Sequence, residues 1–167
     1  MNNPIIILGS SRSRGNTWQA IQTVYEEKIR LIDLNDYNIL PFDYEHKNKH
    51  DDFLTLMEEI MNYDTFILAT PIYWYTMSGQ MKVFLDRFTD LLKIRQDLGK
   101  KLRGKNLFVL ACFGTSPPKN LEAIFQEICR YLGMNFKGVC FIYSGQNSEL
   151  LTNNFQQIEE AKQMLKL

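Results

Sequence analysis

Five short β-rich runs alternate with five helix-length amphipathic segments along the 167 residues of this chain, and that alternation constrains the fold more than any single motif. The runs are Pro4–Leu8, Lys28–Leu34, Thr65–Ala69, Asn106–Ala111 and Gly138–Tyr143. Pro4–Leu8 is almost wholly apolar, the pattern of a strand buried on both faces. Between the runs, Asn16 to about Glu27 places Trp18, Ile21, Val24 and Tyr25 on one helical face, and Asp52–Asn62 does the same with Leu54, Met57, Ile60 and Met61. Ser78 to about Lys93 repeats Met81, Phe84, Leu85, Phe88, Leu91 and Leu92 at spacings of three and four. Lys119–Leu132 carries Leu121, Ile124, Phe125 and Ile128 before Gly133 ends it, and Glu149–Leu167 closes the chain with Leu151, Phe155, Ile158 and Leu165.

Strand–helix alternation predicts a parallel sheet covered by helices on both faces. Right-handed crossovers leave few topologies, and the expected one is a flavodoxin-like, doubly wound, five-stranded order 2-1-3-4-5. The length fits one domain spanning residues 1–167. Asn35–His50 reads as a polar-aromatic connection and Arg95–Lys105 as a basic one.

Nineteen Lys and Arg balance nineteen Asp and Glu, which argues against a protein built to coat nucleic acid or an anionic membrane. No apolar run approaches the roughly 20 residues that span a bilayer, and no secretory signal is readable. Cys112, Cys129 and Cys140 stand alone, with no C-x-x-C pair and no metal-ligand set. A cytoplasmic chain without a metal is therefore expected.

In a sheet of this kind ligands bind beyond the carboxyl ends of the strands, where the order reverses. The loops after strands one, three and four are also the most distinctive parts of the sequence. The first, Gly9–Thr17 (GSSRSRGNT), gathers hydroxyls, an amide and two arginines at a helix start, which suits a phosphate dianion. It matches neither G-x-G-x-x-G nor the nucleotide-cleaving P-loop. It also reads as a hydrophilic loop with Asn16 as helix cap. The second loop holds three consecutive aromatics, Tyr73, Trp74 and Tyr75, after Pro71-Ile72. They suit the wall of a flat ligand, or equally a core lid or a subunit interface. The third, Cys112–Pro118, offers Gly114 for close backbone approach, or is an ordinary turn. A phosphate cradle beside a flat apolar slot describes a flavin mononucleotide site better than any other common ligand. Cys112 reads as a core residue, since the Arg of a phosphatase loop is missing and Pro118 stands in its place. Lys82 and Asp86 read as a surface pair or a subunit contact, and Lys100, Lys101, Arg103 and Lys105 as a solvated cluster.

The strings GSSRSRGNT at Gly9–Thr17 and ATPIYWYTMSGQMKVFLDRF at Ala69–Phe88 resemble the NADPH-dependent FMN reductases, the flavodoxin-like NAD(P)H oxidoreductases. The resemblance covers about Pro4 to Ser144. It implies FMN as cofactor, NADPH or NADH as hydride donor, and a quinone, flavin, azo or nitro compound as small-molecule acceptor. It implies that Ser10, Arg12, Asn16 and Thr17 contact the phosphate, and that Pro71, Ile72, Tyr73 and Trp74 lie beside the isoalloxazine ring. Gly114 and Thr115 fall where relatives meet the pyrimidine edge, although the paired glycines of many relatives are missing. No protein residue is expected to act catalytically, because flavin N5 takes the hydride. A homodimer or homotetramer is implied too, with the flavin near a subunit interface. The competing expectation is a flavodoxin-type electron carrier with no substrate of its own. The neutral charge and the lack of an aromatic in the first loop count against it.

Overall fold

The computed structural model describes residues 3–25, 29–145 and 154–165. Strand β1 (Pro4–Leu8) shows how the sheet is built. Ile5 and Ile7 project into one core and Ile6 and Leu8 into the other, so that every other residue serves each face. The following elements are α1 (Asn16–Val24), β2 (Arg30–Asp33), a 3₁₀ turn (Leu34–Asp36) and α2 (Phe53–Ile60). Next come β3 (Thr65–Tyr73), β4 (Thr76–Met77), α3 (Gly79–Asp86), α4 (Phe88–Lys93) and α5 (Gln96–Lys101). The last are β5 (Asn106–Phe113), α6 (Leu121–Leu132), β6 (Asn135–Tyr143) and α7 (Phe155–Leu165).

The parallel strands run β2-β1-β3-β5-β6, with β4 paired antiparallel to the end of β3. Without that hairpin the order is the doubly wound 2-1-3-4-5 of the flavodoxin-like fold. Helices α1 and α7 cover one face through Ala20, Ile21, Val24, Ile158 and Ala161. Helices α2 to α6 cover the other, led by Phe53, Met81, Phe84, Leu98 and Phe125. Among the described residues no helix is long and apolar enough to cross a membrane, and no group of three His, Cys, Asp or Glu side chains could hold a metal ion.

Several boundaries differ from the sequence reading, each for a physical reason. The single helix expected from Ser78 to about Lys93 is two helices meeting at Arg87, whose side chain is fully buried between them and the Asn35–His50 connection that it binds. Arg95–Lys105 is not a plain connection, because it contains α5. Strand β6 starts three residues before Gly138. Its pairing with β5 skips between Phe136 and Val139, and Gly138, at φ 116°, absorbs the bulge. Helix α1 is capped by Gly15, not Asn16, and has no side-chain cap. Residues 26–28 and 149–153, the expected end of the first helix, the start of the second strand and the start of the last helix, lie outside the described residues.

Arg87 anchors the Asn35–His50 connection. Its Nε donates to Asp90 Oδ2 at 2.6 Å, its Nη1 to Leu40 O at 2.8 Å and to Asp51, and its Nη2 to Asn48 O and Asp51 Oδ1, both at 3.1 Å. The Phe53 ring lies 4.8 Å from the guanidinium carbon. All its donors are thereby satisfied, the condition under which so large a charge can be buried. His46 Nδ1 lies 2.6 Å from the other oxygen of Asp90, which gives His46 a structural contact.

Candidate active site

A cleft of about 420 Å³ opens at the carboxyl ends of β1, β3 and β5. It falls within the ~300–1,000 Å³ common for small-molecule sites. All ten residues expected at a ligand line it. Ser10, Arg12, Asn16 and Thr17 form one end, and Pro71, Ile72, Tyr73 and Trp74 form a side. Gly114 and Thr115 border it from the third loop, so that loop does reach the cleft. Tyr75, Cys112, Phe113, Ser116 and Ser144 complete the lining.

The first loop is placed by three ties. Gly9 donates its N–H to Ala69 O at 2.9 Å, which carries β1 pairing one step past the strand. A Cβ at Gly9 would stand 2.8–2.9 Å from side-chain carbons of Met81, so helix α3 can approach only because this residue is glycine. Ser78, the N-cap of α3, donates its hydroxyl to Gly9 O at 2.7 Å and accepts from Met81 N at 3.1 Å. Its own N–H donates to Thr70 Oγ1 at 3.0 Å. Asn35, after β2, binds the same loop through its carboxamide. Neither Ser78 nor Asn35 was singled out from the sequence, since their partners lie 69 and 25 residues away. The SG dipeptide at the start of an apolar run was the available signal for Ser78.

The chemistry of this end fits a phosphate. Helix α1 starts without a side-chain cap and without an acidic residue in its first turn, so its first N–H groups and positive dipole end remain for a ligand. Ser10 and Thr17 bring hydroxyls that are almost wholly buried. Arg12 is the only charged residue among the described lining. Asn16 donates one amide N–H to Ser144 O at 3.1 Å, tying the α1 start to the end of β6.

The opposite side is aromatic. Ile72 pairs with Met77 and Tyr73 with Thr76, so Trp74 and Tyr75 form the two-residue turn of a hairpin. Both hold positive φ, 49° and 65°, in a turn type that favours Asn-Gly. Trp74 is 93 % exposed and Tyr75 66 %. These rings are therefore not a lid on the core. On the floor of the cleft, burial pushes the Cys112 thiol up to about 12, with a hydrogen bond from Thr17 pulling the other way. It is a neutral core thiol and not a nucleophile. Lys82 and Asp86 form an exposed pair on α3. Lys105 lies at the opposite end of the sheet, where its ammonium donates to Met61 O and Tyr63 O at 3.0 and 2.6 Å.

Residues 4–147 match the family model for NADPH-dependent FMN reductases. A Bacillus subtilis (strain 168) protein, provisionally named NAD(P)H-dependent FMN-containing oxidoreductase YwqN, is 32 % identical over 176 residues, spanning 96 % of this chain and 95 % of that protein. The solved structure of Trp repressor binding protein from Bacillus subtilis superimposes with a TM-score of 0.76 at 28 % identity, covering 98 % of this chain and 99 % of that one. An FMN-dependent NADH-azoreductase from Bacillus anthracis, solved in complex with FMN, shares the fold with a TM-score of 0.70 at 13 % identity, over 99 % and 100 % of the two chains.

Proposed function

Because this chain belongs to the NADPH-dependent FMN reductase family, we propose that its three-loop cleft binds FMN and that the protein passes reducing equivalents from NADPH or NADH to a small acceptor. The observation that carries the reading is the pairing of an uncapped helix start and a single arginine at one end of the cleft with an exposed aromatic hairpin at its side.

The residues divide the work. Arg12 and the α1 N-terminus offset the charge of the phosphate, and Ser10 donates to it beside Thr17, whose hydroxyl is bonded to Cys112. Pro71, Ile72, Tyr73 and Trp74 bound one side of a flat slot. Gly114 and Thr115 border the far edge. Bound FMN would supply the two-electron chemistry, taking hydride from the nicotinamide and handing the electron pair to the acceptor. No side chain of the cleft is needed as a nucleophile, in line with the neutral thiol of Cys112. Trp74 and Tyr75 favour planar acceptors, so quinones, free flavins, azo and nitro compounds form the proposed class.

A homodimer or homotetramer is part of the proposal. A groove of about 830 Å³ runs between α3–α4 and α6, lined by Leu85, Phe88, Leu92, Ile128 and Tyr131. Met77 of the aromatic hairpin reaches the same groove, so a second copy seated there would lie against the cleft. Light scattering at micromolar concentration checks this, and a monomer with full activity removes it.

Steady-state assays with FMN, each nucleotide and a quinone or azo dye test the reading. Rapid acceptor-dependent oxidation of NADPH or NADH supports the enzyme. A protein that holds FMN yet oxidises neither nucleotide is an electron carrier instead.

A further inference from the structure

We propose that Asn35 is a positioning residue for the phosphate end of the cleft, fixing the Ser10–Ser13 turn so that its donors, and not its carbonyls, meet an anion. The proposal rests on the FMN reading above. Asn35 is not part of the cleft lining. It sits in the 3₁₀ turn after β2, where Asp33 Oδ1 accepts its backbone N–H at 3.0 Å.

Its carboxamide makes three contacts. Nδ2 donates to Ser10 O at 2.6 Å and to Ser13 Oγ at 3.2 Å. Oδ1 accepts from Gln80 Nε2, on α3, at 2.9 Å. These partners fix the orientation of the amide. A flip would set Oδ1 against the carbonyl of Ser10, an acceptor only, and turn that attraction into a repulsion. One side chain thus joins the end of β2, the first loop and α3.

Two consequences bear on an anion. The Ser10 carbonyl is held toward Asn35, and a planar trans peptide then directs the N–H of Ser11 to the opposite side. Without that hold the peptide could rotate and turn a carbonyl oxygen toward the phosphate. Ser13 Oγ, outside the cleft lining, is held by the same amide, which pins both ends of the turn that carries Arg12 on the lining. Replacing the amide by a carboxylate would remove the donor and add a negative charge beside the cradle.

The test compares three probes on the wild type, Asn35→Ala and Asn35→Asp: FMN, riboflavin, which lacks the phosphate, and inorganic phosphate. Asn35 is exposed, so the variants are expected to fold and melt like the wild type. Asn35→Ala should weaken FMN and phosphate about 10-fold and leave riboflavin within about 2-fold, with Asn35→Asp weaker still toward FMN and phosphate. An Asn35→Ala protein that binds FMN like the wild type overturns the assignment. So does an equal loss of FMN and riboflavin, which marks a general structural role. Wild-type protein that takes up phosphate in an Asn35-dependent way but refuses FMN sinks the flavin reading and leaves the cradle standing. Wild-type protein that binds none of the three probes overturns both.

Discussion

Ser78 Oγ donates to the carbonyl of Gly9 across 2.7 Å, and this buried bond ties the first loop of the cleft to the helix that follows the third strand. The same hydroxyl caps α3 by accepting from Met81 N. The first and second of the three loops are therefore tied together by one side chain that does not line the cleft.

Ser78→Ala should cost about 1–3 kcal/mol of stability, because it removes a helix cap and leaves Gly9 O and Met81 N buried without a partner. Urea unfolding measures the loss. Ser78→Thr keeps the hydroxyl and should recover most of it. If the alanine variant is as stable as the wild type, water replaces the bond and the tie is unimportant.

Arg87→Met should cost about 3–5 kcal/mol at neutral pH, since two buried carboxylates lose their cation. The pH dependence is more telling. Burial alone would push the Asp51 carboxyl up, but hydrogen bonds from Arg87 and from the N–H groups of Leu40 and Phe53 outweigh it and hold the group below its ordinary value. A lowered folded pKa gives stability that is complete above the unfolded value, near 4, and is lost as pH falls through the folded one. Without Arg87 burial dominates, the folded carboxyl binds its proton more readily, and this loss should shrink or reverse. Denaturant midpoints taken from pH 6 to 3 for both proteins check the sign.

These two residues also mark the limit of what the sequence discloses. Ile5–Leu8 and the apolar stripe of Lys119–Leu132 were readable because strand and helix periodicity are local. The convergence of the three loops was readable because sheet topology dictates where strand ends meet. Arg87 was not, since in a helical pattern it looks like a surface charge and its partner Asp51 is 36 residues away. The same holds for Asn35 and its carbonyl partner Ser10. The bulge at Gly138 hid the first residues of β6 for a different reason, because a skipped register breaks the alternation that reveals a strand.

Arg12→Ala should weaken FMN binding by about 1.5–3 kcal/mol, the scale of a charge-assisted hydrogen bond. The side chain is exposed, so folding should be unaffected. Fluorescence titration reads the change, and an unaltered affinity would take Arg12 out of the site.

The Trp74–Tyr75 turn stores strain, at roughly 1–2 kcal/mol for each L-residue held at positive φ. Replacing the pair by Asn-Gly should raise the melting temperature while slowing transfer to planar acceptors. If it stabilises the protein and both half-reactions keep wild-type rates, the aromatics serve an interface and not the acceptor.

Anaerobic stopped-flow mixing of the FMN-loaded protein with NADPH or NADH, followed by a quinone, tests the central claim most directly. The account predicts that the visible flavin band bleaches on nucleotide addition and returns when the quinone is added, with Trp74→Ala slowing the second phase relative to the wild type more than the first. A flavin band that persists in excess of both nucleotides, or a protein that cannot be loaded with FMN at all, contradicts it.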